Sequence, residues 1–87
     1  MNTELETRFV EAQAKIKTLT ERPGNADMLR LYAHFKQATE SDCTGEQPGA
    51  LDFVNRAKFD AWKALAGCPK MDAMQSYIAI VEELVSS

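Results

Sequence analysis

The run Met71-Asp72-Ala73-Met74-Gln75-Ser76-Tyr77-Ile78-Ala79-Ile80-Val81-Glu82-Glu83-Leu84-Val85 reads as an amphipathic helix. Met71, Met74, Ile78, Val81 and Val85 step by three, four, three and four, the spacing of one helical face. Ala73, Tyr77, Ile80 and Leu84 flank that stripe, so the apolar face is wide. Pro69 suits the first helical position, where its missing N–H is not needed.

Toward the N-terminus the same period recurs in three more segments. A short helix is expected from Asn55 to Leu65, with Ala57, Ala61, Trp62 and Leu65 on its apolar side and Gly67 closing it. A helix capped by Asn25 carries Leu29, Tyr32, Lys36 and Thr39 on one stripe and Met28, Leu31, Phe35 and Ala38 on the next. It fades at Glu40-Ser41-Asp42. Leu5, Phe9, Ala12, Ile16 and Leu19 give a first helix, stopped by Arg22-Pro23-Gly24. Residues 41 to 53 contain Gly45, Pro48 and Gly49 and no period, so they read as a loop that Leu51 and Phe53 pin to the core. Strand alternation and repeats are absent. The expected fold is all-α, four helices in a single domain over residues 1–87. The long loop lets the second and third helices run the same way instead of in plain up-down order.

Length and charge limit the function. A chain of 87 residues buries about 60–65% of its extended surface. Its core is thin, and a deep ligand cavity must be shared with the surface. The net charge of −3 argues against a nucleic-acid partner. Charge is unevenly spread, however. Glu40 to Asp52 holds four acids and no base, whereas Phe53 to Lys70 holds Arg56, Lys58, Lys63 and Lys70 against Asp60. An acidic protein can still hold an anion where its bases converge. No apolar run approaches the roughly 20 residues that span a bilayer. Met1 to Glu6 has no basic region followed by an apolar one, so no export leader is expected. The expected setting is cytoplasmic, without stable membrane insertion. Cys43 and Cys68 are then reduced thiols, and two thiols with one histidine give neither a disulfide framework nor a metal site.

Catalytic motifs are missing. There is no G-x-S-x-G, H-E-x-x-H or P-loop, and His34 has no nucleophile at a motif spacing. It reads as a packed or half-exposed histidine without a ligand role. The Glu82-Glu83 pair reads as solvated. The informative cluster is aromatic and basic. Tyr32 and Lys36 lie one turn apart on one face, and Phe35 lies about 60° round the axis from Tyr32. A phenol, a ring and an ammonium in one patch suit a phosphorylated nucleotide, with ring on base and ammonium on phosphate. Lys58 repeats the theme beside Phe59, whereas Trp62 reads as core.

Tyr32-Ala33-His34-Phe35-Lys36-Gln37-Ala38-Thr39, Pro48-Gly49-Ala50-Leu51-Asp52-Phe53, Ala57-Lys58-Phe59-Asp60-Ala61-Trp62, Asp72-Ala73-Met74 and Tyr77-Ile78 together resemble the acyl-CoA-binding protein family. The resemblance runs from Phe9 to Leu84. It implies an up-down-down-up four-helix bundle that binds medium- to long-chain fatty acyl-CoA esters one to one, as a monomer, without catalysis and without a cofactor. Such a carrier meets acyl-CoA-using enzymes or membranes transiently. The resemblance also assigns roles. Tyr32, Lys36 and Lys58 gather round the ribose 3′-phosphate, Phe35 stacks on adenine, Tyr77 reaches the nucleotide, and Lys17 contributes from the end of the first helix. Met28 and Phe9 lie near the acyl chain. Departures from the family pattern are Phe35 for tyrosine, Phe59 for tryptophan, Val54 for lysine, Gln47 for arginine and Ser41 for glycine. They predict weaker binding than a full set would give. Two other readings fit a small helical domain: a module that binds a partner helix, and a fatty-acid carrier that ignores the CoA moiety.

Overall fold

In a computed structural model, residues 3–86 form four helices: α1 Thr3–Ile16, α2 Asn25–Glu40, α3 Phe53–Lys63 and α4 Lys70–Ser86. Met1, Asn2 and Ser87 lie outside the described residues, as do the first two positions of the segment expected to lack an export leader and the extreme ends of the expected 1–87 domain. The all-α expectation holds over the described residues, which contain no strand.

Helix α4 packs against both α1 and α2, and α3 packs against α2. The wide apolar face of α4 explains its central place. Ala73, Tyr77, Ile78, Ile80 and Val81 are all buried, covering two partners at once. Leu5, Phe9 and Ala12 meet them from α1, and Leu31 and Ala38 from α2. Met71 and Val85, at the ends of the expected stripe, are exposed, so the stripe turns away from its partners at both extremities. The Cα atoms span 37 × 34 × 15 Å. Two stacked helices of Cα radius about 2.3 Å at an interaxial distance of about 8–10 Å fill roughly 13–15 Å. The molecule is therefore two helices deep and no more.

Several boundaries differ from expectation, each for a local reason. Helix α1 ends at Ile16 instead of Leu19. The Thr18 hydroxyl and amide both donate to the Lys15 carbonyl, at 2.7 and 3.0 Å, and this tight turn replaces the ladder. Asn25 is the first helical residue and not the cap. Gly24 takes that position, with its carbonyl accepting from the Met28 amide at 2.9 Å and no side chain capping the helix. Helix α3 begins at Phe53, two residues early, because the Asp52 carbonyl already accepts from the Arg56 amide. It leaves regular geometry after Lys63 and reaches Gly67, φ 88°, through successive tight turns. Pro69 stands one place before α4, where its carbonyl accepts the first ladder bond from Ala73.

The loop is not pinned by Leu51 and Phe53. They are 87% and 73% exposed, and neighbouring Val54 is 67% exposed. Polar bonds hold the segment instead. Asp42 Oδ1 accepts both from the Gly67 amide and from Gln37 Nε2 at 2.9 Å. The Trp62 indole N–H donates to the Ser41 carbonyl at 2.9 Å, which fixes the start of the loop against α3. Gln47 Nε2 donates to Asp60 Oδ1 at 2.9 Å. Trp62 is buried, as expected.

Candidate functional site

Three rings from three helices make the floor of the site. Phe9 of α1 stacks on Phe35 of α2, with centroids 6.0 Å apart and planes 25° apart. Its other side meets Tyr77 of α4 edge-on, at 5.1 Å and 73°. The Phe35–Tyr77 pair closes the triangle at 6.3 Å. Each ring sits on an inward stripe of its helix, so the same periodicity that builds the core brings the rings together.

Above this floor lies a hollow of about 450 Å³, lined by Ile16, Lys17, Leu19, Met28, Leu31, Tyr32, Phe35 and Tyr77 and closed by the turn Glu21-Arg22-Pro23. A second hollow, of about 530 Å³, opens between α2 and α3. Met28, Leu29, Tyr32, Phe53, Val54, Ala57 and Lys58 line it, with Arg22 and Asn25 at one end. Arg22, Met28 and Tyr32 border both, so the two make one bent depression with Tyr32 at the bend. Each hollow is within the range of small-molecule sites. The shape follows from the two-helix depth: the helices leave an open face that no other described residue covers.

Six of the eight residues singled out by sequence line this depression. Lys17, Met28, Tyr32, Phe35 and Tyr77 border the first hollow, and Lys58 joins Met28 and Tyr32 in the second. Phe9 is buried beneath the first hollow, behind Phe35 and Tyr77. Lys36 lines neither hollow. Its ammonium bonds the Glu40 carboxylate one turn further along α2 and lies 4.9 Å from the centroid of the Trp62 ring. Lys58 Nζ lies 5.4 Å from the centroid of the Tyr32 ring, a cation over a π face. His34 Nδ1–H donates to the Arg30 carbonyl at 2.7 Å and takes no part in the depression.

Charge in the depression is mainly positive. Lys17 and Arg22 face the first hollow against Glu21 alone, and Arg22 and Lys58 face the second with no acid among its lining residues. The hydrogen bond to Glu40 holds the Lys36 ammonium above the usual lysine value, keeping it charged. Burial pushes the Tyr77 phenol up, so it stays a neutral donor. The arrangement offers apolar walls, stackable rings and converging cations, which suits an amphipathic anion with an aromatic part.

Arg22 is the residue that sequence reasoning missed. It was read only as part of a helix stop. The available signal was a cation in the turn that joins two helices bearing site residues. Leu29, Ala57 and Val54 were also absent from the candidate set, since apolar lining cannot be told from core by period alone.

The sequence model of the family described as acyl-CoA-binding protein matches residues 6–81. Enoyl-CoA delta isomerase 2 of Rattus norvegicus is 52% identical over 79 residues, which make up 91% of this chain and 20% of that protein. The chain thus spans about a fifth of that relative's length. Acyl-CoA-binding protein homolog 1 of Caenorhabditis elegans is 45% identical over 78 residues, 90% of this chain and 91% of that one. The crystal structure of Oryza sativa acyl-CoA-binding protein 2 superposes with a TM-score of 0.88 at 41% identity, covering 94% of this chain and 91% of the other.

Proposed function

Because this chain belongs to the acyl-CoA-binding protein family, we propose that it binds medium- to long-chain fatty acyl-CoA esters one to one and carries them without altering the thioester. The observation that carries this reading is the bent depression. Its one arm has rings and Lys17, its other arm has Met28, Leu29 and Ala57 beside Lys58, and Tyr32 stands between. A thioester of CoA has matching parts: an adenine, phosphates and an alkyl chain. Rings accept the base, cations the phosphates, and the apolar lining the chain. Lys36 joins the phosphate group by a rotation of its side chain. The reading extends to a cytoplasmic monomer that meets enzymes or membranes transiently.

Calorimetry with palmitoyl-CoA tests it. The expected result is a saturating one-to-one titration, weakened about ten- to a hundredfold by Lys58→Ala, the worth of one charge-assisted hydrogen bond. Helicity by circular dichroism should not change. Absence of heat with the thioester would remove the carrier reading in favour of a module for partner helices. Equal affinity for palmitate and palmitoyl-CoA would leave a fatty-acid carrier indifferent to the nucleotide.

A further inference from the structure

The two lysines of the aromatic-basic cluster are placed differently. Lys58 Nζ already borders the depression, over the Tyr32 ring. Lys36 Nζ is bonded to Glu40 and rests over Trp62, outside both hollows. We propose that Glu40 parks Lys36 away from the site and competes with the ligand's phosphate for it, so that Glu40 sets how strongly the phosphorylated nucleotide is held. The proposal rests on the acyl-CoA reading.

The geometry favours exchange over a fixed pair. Lys36 and Glu40 lie one helical turn apart, and their side chains are 22% and 53% exposed. A pair of this spacing that solvent reaches from the Glu40 side is weak. Lysine is a point charge on a flexible four-carbon stem, so its ammonium can leave without moving the helix. Tyr32, one turn the other way along α2, borders both hollows. The return path to the depression is therefore short. CoA carries one phosphate monoester, at the ribose 3′ position, and a monoester is close to a dianion at neutral pH. It offers Lys36 more charge and more acceptors than a carboxylate. Once Lys36 has moved, Glu40 keeps its charge and faces the newly bound dianion across one turn. The carboxylate thus acts twice against binding, by holding the lysine and then by repulsion. Thr39, the neighbour of Glu40, donates to the Phe35 carbonyl and so offers Glu40 no alternative partner.

Glu40→Gln removes the charge and keeps length and helix propensity. Titration with palmitoyl-CoA at low salt is expected to tighten by about three- to tenfold, the size of one like-charge contact near the surface. With 3′-dephospho-palmitoyl-CoA the variant and the parent protein should match. Added salt should shrink the gain. Glu40→Asp keeps the charge and should return affinity toward the parent's. In a Lys36→Ala background the gain from Glu40→Gln should fall, because the two residues act as a pair. An affinity unchanged or weakened by Glu40→Gln, in a parent protein that binds palmitoyl-CoA, overturns the proposal and leaves the carrier reading standing. An equal gain with the dephospho ligand also overturns it. A parent protein without palmitoyl-CoA heat removes both.

Discussion

A single carboxylate oxygen ties the ends of two helices together. Asp42 Oδ1 takes the Gly67 amide and one hydrogen of Gln37 Nε2, while the other hydrogen goes to the Cys68 carbonyl at 2.8 Å. Gln37 is fully buried, and the network satisfies its Nε2, whereas its Oε1 accepts no hydrogen bond. The Gly67 amide first, and Gln37 second, hold the Asp42 carboxyl below the usual value of 3.8. A carboxyl that is more acidic in the folded chain stabilises it above its unfolded pKa. That contribution is lost as pH falls through the folded value. Stability is therefore expected to decline on acidification below about pH 4, and Asp42→Asn should flatten the decline, read as melting temperature against pH. An identical slope in the variant would assign acid sensitivity to other carboxylates. Ser41 stands beside this network with φ 71°, a conformation that glycine adopts more readily. That fits the glycine common there in the family.

At the level of the helix and the loop, burial and exposure divide unequal apolar residues that look alike in the sequence. Ile78 is 5% exposed in the core, whereas Leu51 is 87% exposed. Ile78→Ala should cost about 2–5 kcal/mol of unfolding free energy. Leu51→Ser and Phe53→Ser should each stay within about 0.5 kcal/mol. Urea melts followed by circular dichroism measure both, and a large loss from Leu51→Ser would restore the pinning role. The difference explains what could be read in advance. Helices α1, α2 and α4 carry a period, and a period fixes which side is inward. The segment 41–52 has none, so nothing in it told whether Leu51 faced core or solvent. Helix ends were misread where one side chain or carbonyl took over a bond, as Thr18, Asp52 and Pro69 do. Of the candidate residues, Tyr32, Phe35, Lys17, Met28 and Tyr77 border the first hollow, and a helical face or the resemblance to a family had marked them. The direction of Lys36 was not, since Glu40 and Trp62 both draw it and one sequence does not rank them.

On the scale of the whole molecule, the 15 Å depth bears on how the proposed ligand would be held. The depression is open along its length, so an acyl chain laid in it keeps one side toward solvent unless the nucleotide folds across. Burial is worth at most ~0.8 kcal/mol per methylene. A half-covered chain should give roughly half of that. A titration series from butyryl- to palmitoyl-CoA is expected to tighten by about twofold per methylene, until the chain outgrows the apolar lining. A flat series would mean that the alkyl part stays in water.

The thinness of the slab has a consequence for the empty protein. Among the described residues no helix lies over this face, and an acyl-CoA bound as proposed would supply that layer. Such a ligand would then stabilise the folded chain by mass action, and the more so the further its free concentration exceeds its dissociation constant.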